Sequence, residues 1–234
     1  MKFFLLILLH AFAITTYSQR PGPDPSSGGA SPLSFINTID GRPLLSNKYA
    51  QVVSGSPYLF DSIRPASLLL NQGYRYDSVP IKLNLLEDQV VFYKNGAEMT
   101  AQTPIATITI KDASSGENQT LLHYTHFENI YAPVDKGWYQ QLYNGKALLL
   151  KRIYKKINEI KTYNSPNTEQ HIQTLTGYYI FFNKKIAAVK KLKDIPSIFS
   201  GKEQEIKTLL ENKKLKGNGD AEWIEALTLI DPVL

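Results

Sequence analysis

Three asparagine-led dipeptides, Asn95-Gly96, Asn144-Gly145 and Asn183-Lys184, each fall between two runs rich in Val, Ile, Leu, Tyr and Phe. This punctuation constrains the chain most, because asparagine and glycine tolerate the positive φ of a tight hairpin turn, which makes the flanking runs antiparallel partners. From Val52 to about Ile110 the same logic predicts strands at Ser67–Leu70, Tyr74–Tyr76, Ile81–Leu85, Gln89–Lys94 and Ile105–Lys111. The turns between them are Asn71-Gln-Gly73, Glu87-Asp88 and Asn95-Gly96, so the region reads as a β-meander. A polar loop over Ala113–Gln119 and a strand over Leu121–Tyr131 follow.

In the second half, Gly137–Tyr143 and Lys146–Ile157 flank Asn144-Gly145. Leu149, Ile153, Ile157 and Ile160 also fit helical spacing, but the turn supplies a partner and strand is preferred. Tyr163–Thr174 is a polar excursion around Pro166, and Thr176–Phe182 with Ile186–Leu192 make a third hairpin. The period then changes. Lys202–Lys216 puts Ile206, Leu209 and Leu210 on one face, with Ser200 and Glu203 as a capping box and Gly217 as the stop. A second helix follows Asp220, with Trp223, Leu227 and Ile230 on one stripe, and ends at Pro232. The expectation is an α+β fold, mainly antiparallel sheet with two short C-terminal helices.

The first 18 residues, with Lys2 ahead of an apolar run from Phe3 to Leu9 and small residues at Thr16 and Ser18, read as a signal peptide cut before Gln19. Residues 19–32 read as a disordered Pro/Gly/Ser tether, and 33–234 as one domain: meander to about 133, basic hairpins over 134–193, helices over 196–231. The chain is then periplasmic, extracellular or at the cell surface. No other apolar run is long enough to cross a bilayer as a helix. The chain has no cysteine, which removes a thiol-linked lipid anchor, thiol nucleophiles and Cys-ligated metal. No cofactor is implied, since neither a Walker A loop nor G-x-G-x-x-G occurs.

His123 and His126 are the obvious metal candidates, but on a strand a spacing of three sends them to opposite faces. His171 lies in the polar excursion and offers no better partner, and Glu87-Asp88 is explained by turn chemistry. G-x-S-x-G and S-x-x-K are absent, so catalysis would need a site assembled across the fold around His123 and His126.

Charge is partitioned. The net +5 conceals 17 basic against 6 acidic residues between 136 and 216, with acidic flanks on both sides. Lys151, Arg152, Lys155, Lys156, Lys184, Lys185, Lys190 and Lys191 are interleaved with tyrosines, a composition suited to an anionic polymer. For an exported chain that polymer is an anionic glycan, lipid head groups or extracellular nucleic acid, and intracellular nucleic acid is disfavoured. Lysines that merely keep hairpin edges wet account for the same pattern, and Arg152 is the sole arginine from 136 onward where bidentate phosphate binding prefers arginine.

Gly55-Ser-Pro-Tyr-Leu59, Gly73-Tyr-x-Tyr-x-x-Val-Pro-Ile-Lys-x-Asn84, Leu86-Glu-Asp-Gln-Val90, Tyr139-Gln-x-Leu142 and Leu149-Leu-Lys151 together resemble a group of uncharacterised exported bacterial proteins. In that group a β-rich opening leads to a Tyr-Tyr hairpin, as at Tyr178-Tyr179, and then lysine-rich helices, as at Ile206 to Lys216. The resemblance implies secretion and an α+β body, and carries no activity. The residues thus lead to an exported non-enzymatic envelope or surface module contacting an anionic component through its basic hairpins, with a small envelope hydrolase around His123 and His126 as the alternative.

Overall fold

A computed structural model describes residues 40–44, 49, 51–111, 116, 118–127, 134–161 and 168–234. The predicted signal peptide, the tether, most of the polar loop over Ala113–Gln119, residues 128–131 of the strand expected over Leu121–Tyr131 and residues 163–167 of the polar excursion lie outside them. Twelve strands form one sheet: β1 (Gly41–Pro43), β2 (Val52–Ser54), β3 (Arg64–Leu70), β4 (Arg75–Asn84), β5 (Gln89–Lys94), β6 (Ala97–Ala101), β7 (Ile105–Lys111), β8 (Asn118–His123), β9 (Trp138–Asn144), β10 (Leu148–Lys161), β11 (Thr168–Phe182) and β12 (Lys185–Val189). Helices α1 (Glu203–Lys213) and α2 (Asp220–Ile230) follow. The order across the sheet is β1-β6-β5-β4-β3-β7-β8-β9-β10-β11-β12, every pairing antiparallel, while β2 pairs with β11 in parallel. The mainly antiparallel α+β architecture is as the turn pattern predicts.

Several local expectations change. Tyr74–Tyr76 and Ile81–Leu85 belong to one strand, β4, because Asp77-Ser78 is a bulge: Ala66 pairs with Val79 but Leu68 with Tyr76, and Ser78 takes a φ of 57°. Residues 168–174 of the supposed polar excursion are strand, extending the β10–β11 hairpin to Lys161↔Thr168. The strand expected over Leu121–Tyr131 starts at Asn118 and ends at His123, where a 3-10 turn, Tyr124–Phe127, takes over. Helix α1 stops at Lys213, with Lys214 left-handed at φ 56°, so Gly217 is not its terminator, and Lys202 rather than Ser200 occupies the N-cap. Glu203 instead accepts the Gly201 amide.

Asn95-Gly96 and Asn183-Lys184 have both residues at positive φ, as a two-residue hairpin turn requires. Asn144-Gly145 does not. Its glycine is there for close approach: a Cβ on Gly145 would lie 2.5 Å from Asp231 Oδ1, which accepts the Lys146 amide at 2.7 Å. This bond ties the β9–β10 turn to the end of α2.

The sheet cannot be flat. Strands β6 and β7 are four lateral steps apart in its order, roughly 19 Å at the usual spacing between strands. Yet residues 102–104 alone join Ala101 to Ile105, and a link that short reaches about 14 Å. The first half therefore rolls about a core of Leu68, Tyr76, Ile81, Phe92, Ile108, Ile110 and Trp138. On the same face of β10, Leu149 enters a second core under the helices, with Ile180, Phe199, Ile206, Trp223 and Leu227. A smaller cluster of Leu122, Phe127, Tyr139 and Leu150 covers the opposite face.

Candidate functional site

Rolling brings the β4–β5 turn to the end of β8, and the site of interest lies where they meet. Asp88, left-handed at φ 57° in that turn, presents its carboxylate to His123, the last residue of β8: Nε2 lies 3.1 Å from Asp88 Oδ2. The other ring nitrogen, Nδ1, lies 2.9 Å from Thr125 Oγ1 on the 3-10 turn. The network assigns Nε2–H as donor to the carboxylate and Nδ1 as acceptor of the threonine hydroxyl. Carboxylate, imidazole and hydroxyl are thus in series, and the imidazole ring packs 4.8 Å from the Trp138 ring.

Beside this chain is a cleft of about 330 Å³. Val90, Ile105 and Trp138 supply its apolar lining, and Asp88, Gln89, Gln102, Thr103, His123 and Thr125 its polar wall. Asp88 Oδ1 and Trp138 Nε1, on two of the lining residues, are shielded from solvent and have no hydrogen-bond partner, an unpaired acceptor and donor behind the cleft wall. His126 does not join it: it is exposed on the 3-10 turn with its ring edge-on to Phe127 at 5.2 Å. The premise of two strand-borne histidines is therefore corrected, since only His123 is on β8. His171 also gains partners in β11, Ser54 Oγ at 2.7 Å and Glu169 Oε2 at 3.4 Å. No group of three or more His, Asp or Glu side chains suited to a metal occurs among the described residues.

The basic residues are distributed over both sheet faces. Lys151 meets Asp220 at the start of α2, Nζ to Oδ2 2.7 Å, and Tyr178 donates to the same carboxylate at 2.6 Å. Burial, then Asp220, pushes the Tyr178 phenol well up. Arg152, one residue on and facing the other way, donates to the Lys136 carbonyl at 2.7 Å and pairs with Asp135 at 3.4 Å. Its guanidinium covers the Tyr154 ring. Lys155 donates to Thr174 Oγ1 at 2.8 Å, and burial lowers its ammonium pKa. Lys156, Lys184, Lys185, Lys190 and Lys191 are exposed: Lys184 and Lys185 at the β11–β12 turn, Lys190 and Lys191 beyond the other end of β12. The partners of Lys151 and Arg152 thus lie on opposite sides of the sheet, and the exposed lysines divide between β10 and the two ends of β12.

The pairing of Asp88 with His123 has no local signature. Both residues draw notice in the sequence, one as a turn residue and one as a histidine without a ligand set, but 35 positions separate them. Their meeting depends on how far the sheet rolls. A comparison of the chain with protein-family models, with curated proteins and with solved structures finds no match to any of them.

Proposed function

We propose that this chain is an exported, non-catalytic binding module that takes a saccharide of the cell envelope in the cleft beside His123. One observation carries the reading: a cleft of about 330 Å³ with an apolar lining and a polar wall ordered by the Asp88–His123–Thr125 series. Sugars match that chemistry, because their hydroxyls donate and accept at short spacing while their C–H faces pack on apolar and aromatic surface. Both nitrogens of His123 are held within the protein, which suits positioning better than proton transfer to a ligand. Export rests on the N-terminal sequence. The exposed Lys156, Lys184, Lys185, Lys190 and Lys191 would raise the local concentration of an acidic glycan without forming a second pocket.

A second reading, hydrolysis, draws on the series Thr125–His123–Asp88. There Nδ1 would take the Thr125 hydroxyl proton as Oγ attacks the carbonyl of an O-acetyl ester on a sugar and pass it to the departing sugar hydroxyl; water, giving its proton to the same nitrogen, would then free acetate from Thr125, with Asp88 steadying the imidazolium in both steps. One experiment separates the two. Neutral, acidic and O-acetylated oligosaccharides are arrayed, probed with the protein and with Asp88→Ala and Thr125→Val variants, and the eluted sugars weighed. Binding predicts retention of intact sugar, lost in Asp88→Ala and kept in Thr125→Val. Loss of acetyl groups that vanishes in Thr125→Val would establish the hydrolase, and no retention on any sugar would overturn the binding module.

A further inference from the structure

The outer edge of β10 stops being covered halfway along the strand. Strand β9 pairs with it only as far as Arg152↔Tyr139, whereas β11 follows its other edge to Lys161↔Thr168. From Ile153 to Lys161 no described strand occupies the β9 side, and this stretch contains neither proline nor glycine and no register shift against β11. Proteins usually blunt so long an edge, because its free N–H and C=O groups recruit another strand. The terminal strand β12 illustrates the usual device, with Lys184 and Lys185 at one end and Lys190 and Lys191 at the other. The open edge of β10 also carries Lys155, Lys156 and Lys161, but apolar residues alternate with them: Lys156, Ile157, Asn158, Glu159 and Ile160 line a shallow depression, and Ile160 is 51% exposed.

The charge pattern of the edge selects its partner. In an antiparallel pair of identical strands the two-fold axis is perpendicular to the sheet and passes through a residue position, because facing side chains point to the same side. Centred on Lys156, two ammonium groups face each other; centred on Asn158, Lys155 faces Lys161 of the second copy. Centred on Ile157, no like charges meet and opposite charges do: Ile157 faces Ile157, Lys156 faces Asn158, Lys155 faces Glu159, Tyr154 faces Ile160 and Ile153 faces Lys161. We infer that two copies of this chain join edge to edge through β10 in the Ile157-centred register, continuing one sheet through both.

Sedimentation velocity over a concentration series tests this with exposed or half-exposed substitutions that leave the core untouched. The wild type should sediment as a dimer. Lys155→Glu and Glu159→Lys should each weaken the dimer by at least about tenfold in Kd, since each places like charges opposite one another twice. An equimolar mixture of the two single variants should dimerise again, as should the double variant Lys155→Glu/Glu159→Lys. A monomeric wild type would overturn the proposal, and this is also what an edge reserved for a foreign peptide would give. So would a dimer indifferent to both charge reversals, or a loss that neither the mixture nor the double variant restores.

Discussion

Asn84 closes more hydrogen bonds than any other buried polar side chain described in the first half of the chain. It is fully buried at the end of β4, its Oδ1 accepts the Leu86 and Glu87 amides at 3.1 and 3.2 Å, and its Nδ2 donates to the Tyr49 hydroxyl at 2.8 Å. This turn sets the position of Asp88, so the polar wall of the cleft depends on it. Asn84→Ala strands two amides and a phenol and is expected to cost about 2–4 kcal/mol in urea unfolding. The Tyr49 hydroxyl passes the bond on to Glu87, and burial first pushes its pKa up to about 12. Tyr93, donating to Glu98 across the β5–β6 hairpin, is likewise raised to about 12, here mainly by that bond. A phenol raised above its ordinary 10 stabilises the fold fully below pH 10 and ceases to do so as pH climbs through the folded value. Stability should therefore fall between about pH 10 and 12, with phenolate absorbance rising as the sheet's circular dichroism is lost. Unfolding already complete below pH 10 would contradict this assignment.

Elements are held to one another by carboxylates that collect backbone amides. Glu222, in the first turn of α2, accepts from Gly217, Lys216 and Asn218 at 2.6, 2.7 and 3.2 Å. The amides of Asn218, Lys216 and Gly217 hold its carboxyl below the usual range. A depressed carboxyl stabilises above its unfolded pKa and loses that contribution as pH falls through the folded value, so the protection of these three amides, relative to the intrinsic exchange rate at each pH, should drop in acid. Glu222→Gln should show the lower protection already at neutral pH, and unchanged protection would rule the clamp out. Gly145→Ala forces a methyl against Asp231, and a loss of about 1–3 kcal/mol is expected from thermal unfolding. At this scale the sequence is legible where the physics is local. Asn95-Gly96 and Asn183-Lys184 predict their hairpins because asparagine, and Gly96 after it, tolerate positive φ, while Lys184 is carried to φ 60° by the strands it joins. It misleads where a second element decides: Gly145 serves the end of α2, and Asp77-Ser78 reads as a break because nothing local distinguishes a bulge from a turn.

For the whole molecule, the cleft exists because the first half of the sheet rolls. Antiparallel pairing between neighbours is readable from turns, but the roll is set by the short link at 102–104 and by packing around Tyr76, Phe92 and Trp138. That is why Asp88 and His123 could each be singled out in the sequence and not joined. The lysine segment shows the converse: its charge is plain in the composition, whereas period-two alternation and the pairs Lys151–Asp220 and Arg152–Asp135 disperse it. Replacing Lys184, Lys185, Lys190 and Lys191 together by glutamine should slow capture of an acidic glycan at low salt and leave capture of a neutral one unchanged. The two tryptophans provide the most direct test of the cleft, since Trp138 lines it and Trp223 stacks on Tyr178 beneath α2. In a saccharide titration followed by the two indole N–H resonances in a nitrogen–proton NMR spectrum, the binding account predicts that Trp138 shifts and Trp223 stays. A ligand that binds and moves Trp223 alone, or neither resonance, would contradict it.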